Sequence, residues 1–293
     1  MCWTVGSSPM VHRLLSSKAS VIAWLEDGSA VDEISLWILP LLMAALVGLL
    51  CPVTGTLLVT QRRVLQANLI SHAVLPGLVV AVACGVDPAI GGVISGLLGA
   101  WLAERLQLQE GASQDAVINT VLAGFLGLGV LLVPLLQLRL DLEALLFGDL
   151  LIVTGSDVVR VALAGLALMT LLLSRYSQLV YLGVDADGAA AAGLPVRGLR
   201  LSLALVTAMV IVSAMAAVGV ILVIGLLCAP VLPGLNTALS LRVAMARAAG
   251  VGLGMSGGGF LLALPLNLPP GPLIGVLCLL MLLLPGGRGA EKR

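Results

Sequence analysis

The chain has 293 residues, 60% hydrophobic and only 10% charged, and its 15 basic and 15 acidic side chains cancel at neutral pH. No soluble fold has the polar surface to cover so apolar a sequence, and without a long basic block nothing points to nucleic acid as a partner. A membrane protein remains.

Residues 1–33 stand apart, carrying Arg13, Lys18, Glu26, Asp27, Asp32 and Glu33 with no long apolar core. The uncharged apolar stretch of a cleaved signal peptide is missing. The segment reads as a short surface helix, a disordered tail, or a start site assigned too early. Beyond it, apolar runs at 34–59, 64–84, 88–106, 116–138, 150–174, 200–217, 219–239, 245–264 and 271–285 approach the roughly 20 residues a helix needs to cross a hydrocarbon core about 30 Å thick. The expected fold is all-α, a polytopic transmembrane bundle of about nine spans, with 286–293 as a cytoplasmic tail. Breaks are expected at 61–63, 85–88, 111–113, 141–143, 175–199 and 267–272.

Spans six and seven form one apolar stretch, so the distribution of basic residues provides an independent check on the count. With the N-terminus outside, nine spans place Arg62, Arg63, Arg105, Arg175, Arg197, Arg200, Arg242, Arg247, Arg288, Lys292 and Arg293 on the cytoplasmic side. Beyond the N-terminal segment only Arg139 is external, while Arg160 lies within span five. Merging spans six and seven would move the last five cytoplasmic charges outside. Nine spans also make 175–199 the longest cytoplasmic loop. Its DADGAAAAGLPV, residues 185–196, sets Asp185 and Asp187 before an Ala-rich turn and Gly193 after it, which suits a short capped helix lying on the membrane as a docking surface. An ordinary connector is the plainer reading.

Neither of the two lysines, Lys18 and Lys292, belongs to a GxxxxGK[ST] phosphate loop, so any ATP-driven function needs a separate nucleotide-binding subunit. Asn68 and His72, four apart in span two, share one helical face, with Ser71 at its edge. Polar groups at that depth serve either as an interhelical hydrogen-bond node or as the lining of a path, where an imidazole nitrogen and an amide oxygen coordinate a divalent transition metal in passing. Asp157 and Arg160, three apart in span five, are expected to pair with each other. Four of the five cysteines, Cys51, Cys84, Cys228 and Cys278, lie in apolar spans as small hydrophobes, and with Cys2 they form no CxxC pair.

Two rival functions carry weaker marks. Gly254-Met255-Ser256-Gly257 spells GxSG in span eight and, with His72, would suit an intramembrane serine hydrolase. In a chain with 35 glycines, the same stretch reads as close helix packing. Proton-coupled secondary transport would bring more carboxylates into the spans or a clear internal repeat, and the sequence has neither.

Several strings in order along residues 34–285 resemble one family, the membrane permeases of ABC importers for zinc, manganese and iron: RRVLQANLISHAVLPG (62–77), QDAVINTVLAGFLGLGVLL (114–132), LLFGDLL (145–151), DADGAAAAGLP (185–195), AVGVILVIGLLCAPVLPG (217–234) and LNLPPGPLIGV (266–276). The resemblance implies a type II importer permease, built as in cobalamin and siderophore importers. It would be a homodimer in the bacterial cytoplasmic membrane, served by two ATPase subunits and an extracytoplasmic metal-binding protein. The chain itself would bind no cofactor; its substrate would be the divalent metal, and the partner subunit would use the ATP. The segment from Asp185 resembles the family's coupling helix. In relatives an Asp commonly stands four residues before the His of SHAVLPG, and both are associated with the metal path; here that position is Asn68. The resemblance therefore implies a path through Asn68, Ser71 and His72 that lacks the usual negative charge.

Overall fold

A computed structural model describes residues 30–107, 113–137, 150, 153–235, 238, 240–266 and 268–283. Residues 1–29, Gly111 and Ala112, Arg139, the break at 141–143, most of the string 145–151, Asn267 and the tail from 284 lie outside the described residues. The described chain is helical throughout: α1 Ala30–Thr60, α2 Val64–Ala83, α3 Pro88–Leu106, α4 Gln114–Leu135, α5 Gly155–Val184, α6 Ala186–Ala191, α7 Val196–Val218, α8 Val220–Cys228, α9 Val231–Leu235, α10 Leu241–Leu266 and α11 Pro270–Leu283. Seven of these, α1 to α5, α7 and α10, are long and apolar enough to cross a membrane. Two shorter apolar stretches, Leu222–Leu235 and Pro270–Leu283, fall where the seventh and ninth spans are expected. The polytopic all-α bundle stands, with a count of nine only approximate.

Three boundaries differ from expectation. The first helix begins at Ala30, four residues ahead of the expected span. The fifth helix runs ten residues past 174, since Tyr176, Leu179 and Leu182 keep a helical spacing and the last two are buried. Much of the expected loop is therefore an extension of α5. The seventh span is interrupted: Gly219 turns the chain at φ +84°, and the Ala229–Pro230 step separates α8 from α9. A proline nitrogen there cannot donate to a preceding turn.

The interior is built on α1, α2, α7 and α8, where Met43, Leu57, Ile70, Ile211 and Val223 have no exposed surface. Backbones meet where side chains vanish. A Cβ on Gly77 would overlap the Gly91 carbonyl oxygen, and one on Gly91 would overlap that of Gly77, so α2 and α3 cross in direct contact. Gly48 of α1 and Gly252 of α10 meet in the same manner. The Gly48 carbonyl is left without its helical donor by Pro52, four residues on, and that oxygen is the one that faces Gly252. Helix starts use ordinary capping: the Ala89 N–H donates to Asp87 Oδ1 at 3.0 Å ahead of Pro88, and the Ala116 N–H donates to Ser113 Oγ at 3.3 Å.

Candidate transport path and coupling site

Helix α2 is buried on most of its circumference by α3, α4 and α7. Over its first three turns Leu65, Asn68, His72 and Leu75, spaced three and four apart, are left open or partly open and form one stripe. Asn68 and His72 thus share a face as their spacing requires, and neither side chain hydrogen-bonds to another described residue. Ser71 does not join them. It is buried, and its hydroxyl donates to the Ala67 carbonyl at 3.0 Å, one turn back on its own helix. Pro76, four residues after His72, adds a group that reading side chains alone passes over. It has no N–H to offer the His72 carbonyl, so the imidazole and a backbone oxygen lacking its helical donor belong to the same residue. Proline spacing was the available signal.

Below this stripe, on the side where basic residues accumulate, lies a buried polar node. Arg63 and Gln66, 4% and 2% exposed, begin α2, while Glu104 ends α3. Arg63 donates to Gln66 Oε1 at 3.1 Å and to Glu104 Oε1, and Gln66 Nε2 donates to the same carboxylate at 3.3 Å. An arginine and a glutamate so deeply placed persist because each satisfies the other. Sequence reading counted Arg63 only as a topology marker and missed this node. Glu104 lies 38 residues from Gln66 along the chain, and such a contact leaves no trace in linear spacing.

The segment that begins at Asp185 forms a helix as its pattern indicates. Asp185 caps α6 by accepting from the Gly188 N–H at 2.8 Å, and Ala189 is its buried anchor. Asp185, Asp187 and the residues from Ala190 to Gly193 remain exposed. Gly193 ends the turn at φ +77°, a conformation that costs other L-residues roughly 1–2 kcal/mol. Arg200, in the first turns of α7, lies within electrostatic range of Asp187, Glu104 and Arg63. The Gln61 amide reaches the Leu179 carbonyl at 3.5 Å, which sets the α1–α2 turn against the end of α5. Helix α6 and the polar node thus occupy one end of the bundle.

At the opposite end Arg160 pairs with Asp157 at 3.1 Å, as its spacing indicates, and also with Asp87 in the α2–α3 turn. Ser256 is fully buried and its hydroxyl donates to the Ala44 carbonyl at 2.7 Å, the arrangement of a packing residue. Among the described residues no three His, Cys, Asp or Glu side chains gather as a metal cage. The free cysteines Cys51 and Cys278 are buried as small hydrophobes, whereas Cys84 is exposed.

The described residues thus form a helical bundle of long apolar helices, with a short capped helix between two of them and a polar stripe on α2. Residues 35–286 match the ABC 3 transport family, and the chain belongs to it. It is 32% identical over 228 residues to an uncharacterized membrane protein of Cyanophora paradoxa, covering 77% of this chain and 76% of that protein. It is 33% identical to the manganese transport system membrane protein MntB of Synechocystis, across 64% of this chain and 61% of MntB. With the chelated iron transport system membrane protein YfeD of Yersinia pestis it shares 34% identity across 64% of each chain. The match thus spans somewhat under two thirds of these two transport proteins. Its fold resembles a chain of PsaBC from Streptococcus pneumoniae solved with a Fab, with TM-score 0.77 and 27% identity over 92% of this chain and 98% of that one. An inward-facing metal-chelate type ABC transporter gives TM-score 0.62 at 19% identity over 84% and 86% of the two chains, a likeness of fold alone.

Proposed function

We propose that this chain is the permease of an ATP-driven importer for a divalent transition metal, with Asn68 and His72 lining the path. The observation that carries the reading is their partly open stripe on the largely buried first turns of α2, where polar groups without partners are retained only if they face water, an ion or another chain. One copy offers an imidazole, an amide oxygen and a backbone carbonyl; two copies of α2 facing one another would double the set. A homodimer is therefore part of the proposal, as are an ATPase docked on α6 through Asp185, Asp187 and Gly193, an extracytoplasmic metal-binding protein, and placement in the bacterial cytoplasmic membrane.

Imidazole and amide ligands suit manganese, iron and zinc alike. Without a carboxylate at position 68 the ion's charge is poorly offset, so it is held briefly. Uptake of labelled manganese and zinc by the importer reconstituted with its ATPase tests this. His72→Ala is expected to lower uptake at least tenfold, Asn68→Asp to increase retained metal and slow its release, and Ser71→Ala to change neither. Normal transport in His72→Ala with no extra metal in Asn68→Asp would reduce the stripe to a packing face. Uptake driven by a proton gradient without the ATPase would favour secondary transport instead.

A further inference from the structure

On the outer surface of the bundle, α1, α5 and α10 enclose an open groove of about 470 Å³, lined by Leu49, Val53, Leu173, Tyr176, Arg242 and Ala246 among others. Its walls are apolar except at one end. There the Arg242 guanidinium lies 4.7 Å from the centre of the Tyr176 ring, at the start of α10. This end is on the side where basic residues collect. From Arg242 to Ala249, the limits of the lining on α10, seven residues rise about 10 Å, the depth of the upper part of an acyl chain.

The ion pairs among the described residues engage Arg63 and Arg160, and none involves Arg242. Among the described residues the lining contains no Asp or Glu. The groove therefore presents a cation held against an aromatic ring, the positive end of a long helix whose Val243 N–H is capped by Ser240 Oγ at 3.4 Å, and an apolar trough leading inward. A second copy of the chain is a poor occupant. A symmetric contact through this face would bring two Arg242 groups together with no lining carboxylate to offset them.

We propose that this groove is a binding site for an anionic phospholipid, its phosphate on Arg242 and the α10 N-terminus and one acyl chain along the trough. The bound lipid ties α1, α5 and α10 together at the cytoplasmic leaflet. A neutral lipid with the same chains fills the trough but gains nothing from the cation.

The test uses the full-length permease in detergent, offered equal amounts of dioleoyl phosphatidylglycerol and dioleoyl phosphatidylcholine, with retained lipid counted by native mass spectrometry. Phosphatidylglycerol is expected to be retained about fivefold more, the factor that corresponds to roughly 1 kcal/mol per basic side chain. Arg242→Gln should bring it down to the phosphatidylcholine level, and Arg242→Lys should keep most of the preference. Ala246→Trp, which fills the trough and leaves the charge, should also lower retention. Inorganic phosphate should not displace the lipid. Equal retention of the two lipids by the unaltered chain, an undiminished preference in Arg242→Gln, or displacement by inorganic phosphate would overturn the site. Efficient self-crosslinking of Leu173→Cys in membranes would overturn it too, by assigning the groove to a second copy.

Discussion

Arg63 at the head of α2 donates to the carboxylate of Glu104 at the tail of α3, and both side chains are largely hidden from solvent, 5% and 16% exposed. Removing either partner strands a charge in a low-dielectric setting. Arg63→Ala and Glu104→Ala should each destabilise the permease by about 3 kcal/mol, and the double variant by clearly less than the sum. Reversible unfolding of the four proteins in one detergent checks this. Additive losses would mean that the pair is not coupled.

The α2–α3 crossing gives a steric prediction. Gly77→Val places methyl groups where the Gly91 carbonyl stands, so folded yield should collapse. Gly124→Ala and Gly127→Ala meet nothing within 4 Å and should stay within about 0.5 kcal/mol of the parent. Size-exclusion profiles and melting temperatures of the three variants would separate a tight crossing from a loose one.

Much of this was legible beforehand, and the exceptions have physical causes. Long apolar runs revealed α1 to α5, α7 and α10 because the bilayer imposes one length on every span. The polar residues from Arg175 to Gln178 hid the continuation of α5, since a helix leaving the membrane changes its composition without ending. That Asn68 and His72 share a face was legible from their spacing. Ser71 lay one residue too far round the helix, and its hydroxyl turned back to Ala67. Partnerships between distant residues, such as Arg160 with Asp87, follow from packing and could not be read from order along the chain.

Ser256→Ala offers a clean comparison between packing and chemistry. Losing the bond to the Ala44 carbonyl should cost on the order of 0.6 kcal/mol, with metal uptake unchanged. Ser256→Leu should be far worse, because a Cβ on Gly48 would already stand 2.7 Å from the Ser256 Cβ. Any hydrolytic activity that vanished in Ser256→Ala would contradict the packing role.

Helix α6, proposed above as the docking surface, should respond to changes that leave the spans alone. Asp185→Ala removes the cap on the Gly188 N–H and should weaken α6 by about 1 kcal/mol, and Gly193→Ala strains its exit by a similar amount. Both variants should insert normally, yet copurify with less of the ATPase subunit; Asp185→Lys with Asp187→Lys should lose more. Undiminished copurification in all three would move the docking surface elsewhere.

The contact between Gly77 and Gly91 also governs how the protein can move. It is one of three fastenings between α2 and α3, with the Ser95 hydroxyl on the Ala73 carbonyl at 2.6 Å near the middle and Arg63 on Glu104 at the other end. Two rods pinned at three heights can neither slide nor swivel against each other. Helices α2 and α3 are therefore built to move as a single plank. On the path proposed above, a transport cycle would tilt that plank against whatever faces it, changing the width of the passage while Asn68 and His72 stay in fixed register with the residues of α3.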